Sequence, residues 1–135
     1  MRKLNSKSGC MVEVTLSIIG GTWKPIILFH LLRGRMRFSE LGRAIPSVTQ
    51  RMLTLQLREL EEAEIVSRTV YPEVPPRVEY ALTPLGQSLE PVLVAMRDWG
   101  QAYAGTLRDA NACVADEAGR GARVNFARYC PKDGE

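Results

Sequence analysis

The chain has few of the side chains on which enzymes and metal sites depend. Histidine occurs once, as His30, and the three cysteines, Cys10, Cys113 and Cys130, are far apart. Neither a CxxC nor an HExxH spacing is present, which disfavours a structural zinc site and a metal sensor. No Ser/His/Asp set has a suitably placed histidine, and no glycine-rich loop is present to cradle a phosphate. We therefore expect no enzyme, no cofactor and no metal, and we interpret His30 as a core residue.

Long apolar runs are also missing. No run is long enough to span a bilayer, and no apolar segment follows the basic and polar residues 1–9 as it would in a signal peptide. An odd number of dispersed cysteines does not suit a secreted disulfide framework. These absences predict a cytoplasmic protein without a membrane partner.

The distribution of charge is more informative than its total. The 135 residues suit one domain, and the net charge of +3 permits a nucleic-acid partner without requiring one. Between residues 33 and 58 six arginines oppose one acid, Glu40, and residues 59–64 then carry four glutamates. This pattern predicts a local positive patch, although a solvated helix face has the same composition.

Apolar residues at helical spacing predict four helices in the first half of the chain. Their ranges are 11–19, 23–32, 40–45 and 48–63. A Gly-Gly pair at 20–21 ends the first helix. Thr22 and Ser39 are the candidate N-caps of the second and third helices, and Ser47 with Gln50 matches a capping box before the fourth.

The pattern then changes to two strands and a long helix. Strands at 65–71 and 77–82 flank a proline-rich loop and predict a hairpin. Thr83 is expected to cap a helix over 84–103, which Pro91 should kink. Residues 1–10 are predicted as a flexible arm, 11–105 as the domain, and 106–135 as a tail whose composition favours partial disorder.

The order of these elements predicts a winged helix-turn-helix. The fold class is mainly α with a small β-hairpin (α+β), and the N- and C-terminal helices are expected to form the dimer. Only Pro46 and Ser47 join the third and fourth helices, which leaves the fourth free to enter a major groove. The residues expected to contact double-stranded DNA are Ser47, Thr49, Gln50, Arg51, Thr54, Arg58, Arg37 and Ser39. Arg77, at the wing tip, is expected to meet the phosphate backbone or a narrow minor groove.

A heptad seam along the last helix predicts a homodimer. Its members are Leu85, Leu89, Val92, Met96, Trp99 and Tyr103. The seam is wider than one small domain can cover, although burial within a single subunit is the alternative. The residues assigned to the dimer interface are Val12, Leu16, Leu89, Val92, Met96, Trp99 and Tyr103.

Seven collinear segments carry a resemblance to a known family. They are GGTWK at 20–24, RFSEL at 37–41, MLT at 52–54, LREL at 57–60, the wing VYPEVPPRVEY at 70–80, LTPLG at 82–86 and DW at 98–99. Together they resemble the HxlR-type regulators, a winged-helix group related to the MarR proteins. The resemblance implies a dimeric DNA-binding regulator of nearby genes. Two departures are Met11, where the family often has proline, and Leu55, where its recognition helix often has a polar residue.

Cys10 is the candidate sensor of oxidants or electrophiles. It precedes the first helix, where free backbone N–H groups and the positive end of the helix dipole favour the reactive thiolate. It also matches the N-terminal cysteine of the HxlR-type family, several of whose members respond to such stresses. Cys113 and Cys130 are candidate resolving thiols, and an inert cysteine packed as a small apolar residue is the alternative.

Two further functions remain open from the sequence. A winged helix used only for protein assembly would bury an apolar outer face on its fourth helix, and Leu55 is the one residue in its favour. A regulator that senses a small molecule without cysteine chemistry is the other.

Overall fold

A computed structural model describes residues 6–114 of the chain. The helices are α1 (Met11–Ile19), α2 (Trp23–Leu31), α3 (Phe38–Ala44), α4 (Gln50–Glu62), α5 (Pro84–Gln87) and α6 (Glu90–Val114). The strands are β1 (Met36–Arg37), β2 (Val66–Tyr71) and β3 (Arg77–Leu82). The chain divides into two compact units, one ending at Glu90 and the other beginning at Pro91.

The strands form one antiparallel sheet in the order β1-β3-β2. The β2–β3 hairpin runs from the pair Val66–Leu82 to the pair Tyr71–Arg77, close to the predicted strands. Strand β1 was not predicted, because two residues carry no readable alternation. It exists because β3 offers a free edge, where Met36 lies opposite Tyr80.

The core of the first unit is made by the inner faces of α2, α3 and α4 against the base of the hairpin. Its buried side chains include Ile27, Leu28, Leu31, Leu41, Ile45, Leu53, Leu57, Leu60, Ile65, Val66 and Tyr80. Helix α2 supplies three of these, as expected for a helix with apolar residues on most sides. The fold is mainly helical with a three-stranded sheet, which confirms the predicted winged helix-turn-helix.

The caps differ from the sequence expectation at three helices. Helix α4 begins at Gln50 instead of 48, and its cap is Thr49, whose hydroxyl accepts from the Met52 amide at 3.1 Å. The expected capping box with Ser47 is therefore wrong. Ser39 lies inside α3, whose N-cap position is held by Arg37, and Thr22 forms no side-chain cap bond. Thr22 already has helical backbone angles, whereas a capping side chain requires an extended backbone.

The predicted helix over 84–103 is two helices. Thr83 caps α5 as expected, accepting from the Gly86 amide at 3.0 Å. Pro91 does not kink a continuous helix but lies in the first turn of α6, where its missing N–H breaks no ladder bond. Helix α6 also continues to Val114, past the expected end near Tyr103.

The described part of the N-terminal arm is tied to α1. The Glu13 carboxylate accepts from the backbone amides of Lys7 and Ser8, at 2.9 and 2.8 Å, and from the Ser6 and Ser8 hydroxyls. These bonds, led by the Ser8 hydroxyl, lower the pKa of Glu13 to about 2. The arm predicted as flexible is thus bonded over residues 6–8. Residues 1–5 and the tail from 115 lie outside the described residues.

Candidate nucleic-acid interface

A short turn between α3 and α4 sets the direction of the fourth helix. The Ile45 amide donates to Leu41 at 3.0 Å and the Val48 amide donates to Ile45 at 3.2 Å. Leu41 and Ile45 are buried, as is Leu53 in the second turn of α4. Three buried side chains thus anchor the turn and leave the opposite face of α4 outside the core.

That opposite face carries most of the predicted DNA-contacting residues. Gln50, Arg51, Thr54 and Arg58 are exposed, and Leu55 beside them is 43% exposed. Within the described part of the chain, Arg51 and Arg58 pair with no carboxylate. Two unpaired guanidinium groups seven residues apart lie on one side of the helix, two turns from each other.

The remaining polar candidates lie at the helix starts. Thr49 and Ser47 are exposed just before α4, and the Thr49 hydroxyl is engaged as the cap. Ser39 is exposed in the first turn of α3. Arg37, at the N-cap of α3, is half exposed and lies 3.7 Å from Glu40 in a surface ion pair. Such a pair contributes little and leaves the guanidinium available.

The sequence led us to expect Arg77 as a free cation at the wing tip, but its guanidinium is paired within the subunit. Its guanidinium lies 4.1 Å above the Tyr71 ring and within 3.4 Å of both Glu73 and Glu79. Glu79 is also 3.5 Å from Arg35, which donates to the Tyr71 hydroxyl at 2.8 Å. Arg35 joins this network from 36 residues away, and the contacts of Arg77 with its near neighbours depend on how the hairpin folds, so spacing alone did not reveal the network.

A groove of about 580 Å³ opens between the wing, the start of α3 and α4. We call it the wing groove. Its lining residues are Arg37, Phe38, Ser39, Thr54, Arg68, Glu73, Val74, Pro75, Pro76, Arg77, Val78 and Tyr80. Arg68 on β2 is the lining cation that the sequence reasoning missed. The signal that was present is the strand alternation, which places Arg68 on the same side of β2 as buried Val66.

The predicted sensor lies at the start of α1. Cys10 occupies the N-cap position, its thiol is free and it is exposed, so it is not packed as a core residue. On the same helix Val12 and Leu16 are 65% and 59% exposed, whereas Ile19 is buried. The side chains of the two candidate resolving cysteines, Cys113 and Cys130, lie outside the described part of the chain.

The predicted dimer residues of α6 form an exposed apolar stripe. Val92, Met96, Trp99 and Tyr103 are between 37% and 69% exposed. The Trp99 and Tyr103 rings stack at 5.2 Å between centroids. Leu89 is half-buried and lies between α5 and α6, so the predicted heptad seam is divided there.

Comparison with known proteins identifies the family. The model of the HxlR-like helix-turn-helix matches residues 18–107, which contain the whole of α2 to α5 and the wing. The chain belongs to the HxlR-like helix-turn-helix family. This confirms the resemblance carried by the sequence motifs, and it confirms a DNA-binding transcriptional regulator rather than an enzyme.

Close relatives include other HTH-type transcriptional regulators. The HTH-type transcriptional regulator YdeP of Bacillus subtilis (strain 168) is 58% identical over 95 residues, covering 70% of this chain and 74% of YdeP. YybR of the same strain is 51% identical over 114 residues, covering 83% of this chain and 91% of YybR.

Two solved structures of a redox regulator share the fold. The redox regulator HypR in its reduced form is 52% identical, with a TM-score of 0.70, covering 74% of this chain and 99% of HypR. Its oxidised form is 56% identical, with a TM-score of 0.66, covering 69% of this chain and 96% of HypR.

Two other sequence expectations concern membranes and metals. In the part of the chain that the structure describes, no single helix is long and apolar enough to cross a membrane. Helices α1 and α2 reach the required length and apolarity only when taken together, and the two are bent by 78° relative to each other. Among the same residues no group of three or more His, Cys, Asp or Glu side chains is placed to hold a metal ion. The cytoplasmic location stays a prediction.

Proposed function

We propose that this HxlR-type regulator acts as a homodimer that inserts α4 of each subunit into the major groove of a near-palindromic operator. The observation that carries the proposal is the outer face of α4, which is exposed, polar and basic, with Arg51 and Arg58 unpaired among the described residues. The major groove admits one helix and presents acceptors to such side chains. Two α4 helices related by the two-fold axis of a dimer require operator half-sites about one turn of the DNA helix apart, roughly 10 bp or a small multiple.

Residues on α4 divide by their distance from its N-terminus. Gln50, Arg51 and Thr54 lie in its first two turns, the part of a recognition helix that meets base edges. Arg58 lies a turn further along and Ser47 before the helix, positions suited to phosphates. The exposed side chain of Leu55 suits contact with a thymine methyl group, the apolar feature of the major groove.

The dimer is supported by apolar side chains that a lone subunit leaves in water. The stripe on α6 and the exposed Val12 and Leu16 of α1 provide them. Exposed apolar stripes of this kind mark interaction surfaces.

The operator contact is tested by Arg51→Ala. Operator fragments are obtained by sequencing the genomic DNA that the protein retains, and binding is measured by fluorescence anisotropy. We expect affinity to fall by roughly 5- to 150-fold, the equivalent of about 1–3 kcal/mol for a base-contacting arginine. Lys7→Ala, which removes one exposed positive charge before α1, is the control and should bind as wild type. Unchanged operator affinity in Arg51→Ala would contradict the docking of α4.

We further propose that the regulator responds to oxidants through Cys10. The exposed free thiol supports this, as does the close similarity to HypR, which is described as a redox regulator. Oxidation joins the Cys10 sulfur to a second cysteine sulfur, and the two electrons and two protons pass to an oxidant such as diamide. Cys113 and Cys130, in the same or the partner subunit, are the candidate second thiols.

The oxidant response is tested with Cys10→Ser. Diamide should change the operator affinity of the wild type, and a thiol reductant should restore it. The Cys10→Ser protein should keep its reduced-state affinity and lose the response. If it responds to diamide as the wild type does, the signal enters elsewhere, through another cysteine or a small molecule.

A further inference from the structure

The lining of the wing groove carries more basic than acidic side chains. Three arginines, Arg37, Arg68 and Arg77, line it against one acid, Glu73. Its volume of about 580 Å³ is in the range of sites that hold organic groups rather than single ions. Charge and size together suit an anionic chain such as a stretch of sugar-phosphate backbone.

The strand register divides the arginines of the hairpin between the two faces of the sheet. Arg68 is opposite Tyr80, and both line the groove. Tyr71 is paired with Arg77, three positions along each strand from the Arg68–Tyr80 pair, so the two pairs belong to opposite faces of the sheet. Neither Tyr71 nor Glu79 lines the groove. Because successive side chains of a strand point to opposite faces, Arg68 and the Tyr71 ring lie on opposite faces of the sheet.

Arg77 is already bonded within the subunit. Its guanidinium contacts the Tyr71 ring, Glu73 and Glu79, and its Nε atom is buried. The side chain is only 29% exposed. A phosphate would have to displace two carboxylates to reach this charge, which cancels most of the electrostatic gain.

Arg68 is in the opposite situation. It is exposed and has no hydrogen bond or ion pair within the described part of the chain. Its groove neighbour Arg37 has only the 3.7 Å surface pair with Glu40. A phosphate approaching from solvent therefore meets these two cations first.

We propose that the wing groove holds the operator backbone, with Arg68 as the wing residue that binds phosphate and Arg77 as a positioning residue. Arg77 also lines the groove, but Glu73 and Glu79 offset its charge, and its contacts with them and with Tyr71 brace the hairpin that carries Arg68. This inference rests on the proposed function, because it assigns a second contact of the same DNA.

The test compares Arg68→Gln with Arg77→Gln in the full chain, on operator and random duplexes over a range of salt concentrations. Each phosphate contact contributes about 0.9 to the slope of log K against log salt, through counterion release. We expect Arg68→Gln to weaken both duplexes alike and to lower the slope by about 1. Arg68→Lys should restore the slope, because a point charge suffices for phosphate. Circular dichroism checks that each variant is folded.

Arg77→Gln should leave the salt slope unchanged, whatever its effect on hairpin stability. Hydrogen exchange of the β2–β3 amides should become faster in this variant, since the brace is lost. A slope lowered by Arg77→Gln, or left unchanged by Arg68→Gln, would overturn the assignment while operator binding by wild type stands. If wild type binds no duplex at all, the proposed function fails, and the groove assignment fails with it.

Discussion

Glu64, two residues after the end of α4, has a left-handed backbone conformation with a φ of 63°. The Ile65 amide donates to Leu60 and the Glu64 amide donates to Glu61, at 3.0 and 2.9 Å. These two bonds form a Schellman motif, and buried Ile65 and Leu60 provide its apolar contact. The motif turns the chain from α4 into β2 at a position that favours glycine.

Replacing Glu64 by glycine should therefore stabilise the protein. A left-handed conformation costs a non-glycine residue about 1–2 kcal/mol, and glycine adds back an entropic cost of about 0.5–1 kcal/mol. We expect Glu64→Gly to raise the free energy of unfolding in urea by about 0.5–1 kcal/mol on this balance. Glu61→Gly, inside α4, is the matched control and should lower it by a similar amount. A loss of stability in Glu64→Gly would argue against the motif.

His30 makes stability depend on pH. Burial, with a smaller contribution from the charge of Arg33, lowers the pKa of His30 from 6.5. The unfolded chain therefore binds a proton at higher pH than the folded chain. As linkage requires, the contribution of His30 to the free energy of unfolding should be constant above about pH 7 and should decrease as the pH falls below about 6.5.

Urea unfolding between pH 5.5 and 7.5, about one unit either side of the ordinary histidine pKa, measures this effect. His30 is the only histidine, so no other side chain of this type contributes to the slope. His30→Gln should have a flatter profile than wild type in this window. Equal slopes for the two proteins would show that His30 is not the responsible group.

At the scale of elements, α5 is joined to the start of β2 by Thr83 and Gly86. The Thr83 amide donates to the Ile65 carbonyl at 3.0 Å, and its hydroxyl accepts from the Gly86 amide. A Cβ atom on Gly86 would lie 2.2 Å from the Ile65 carbonyl oxygen. This glycine is required by close approach of two backbones and not by its own φ.

Gly86→Ala should separate α5 from the sheet. We expect the free energy of unfolding to fall by about 1–3 kcal/mol, the usual cost of overpacking, because a backbone oxygen cannot rotate away. Gly100→Ala on α6 is the control, since its Cβ would meet nothing within 4 Å and alanine favours a helix. Thermal unfolding of the two variants should shift in opposite directions. A neutral Gly86→Ala would mean that the α5–β2 contact is looser than described.

At the scale of the whole molecule, the prediction concerns the oligomer. Trp99 is 69% exposed and stacked on Tyr103, which makes it the largest exposed side chain of the α6 stripe. Large aromatic side chains dominate the energy of protein interfaces. Trp99→Ala should therefore give monomers, and the operator affinity that depends on two linked recognition helices should fall with them.

Analytical ultracentrifugation at micromolar concentration measures the association directly. Gln101→Ala, an exposed polar position on the same helix, should sediment as wild type. Monomeric wild-type protein under these conditions would contradict the proposed homodimer, and the apolar stripe on α6 would then have no partner to pack against.

Local patterns were sufficient to predict most elements of the fold. Helix α1 has the predicted bounds, and α2 and both hairpin strands differ from theirs by one residue or less. Apolar periodicity and glycine or proline at the boundaries act within a few residues, so the chain itself determines these elements. The family motifs and the outer face of α4 were readable for the same reason.

Features that depend on how the backbone is folded, and not on a local pattern, were decided only by the tertiary structure. Strand β1 forms because Met36 meets Tyr80, 44 residues later in the chain. Thr49 caps α4 in place of Ser47, because the choice between neighbouring hydroxyls depends on backbone angles set by the α3–α4 turn. Arg77 is bonded by Glu73 and Glu79 while Arg68 is left open, because sheet pairing determines which face each side chain occupies. Charge could be counted from the sequence, but which charges remain free for DNA depends on packing.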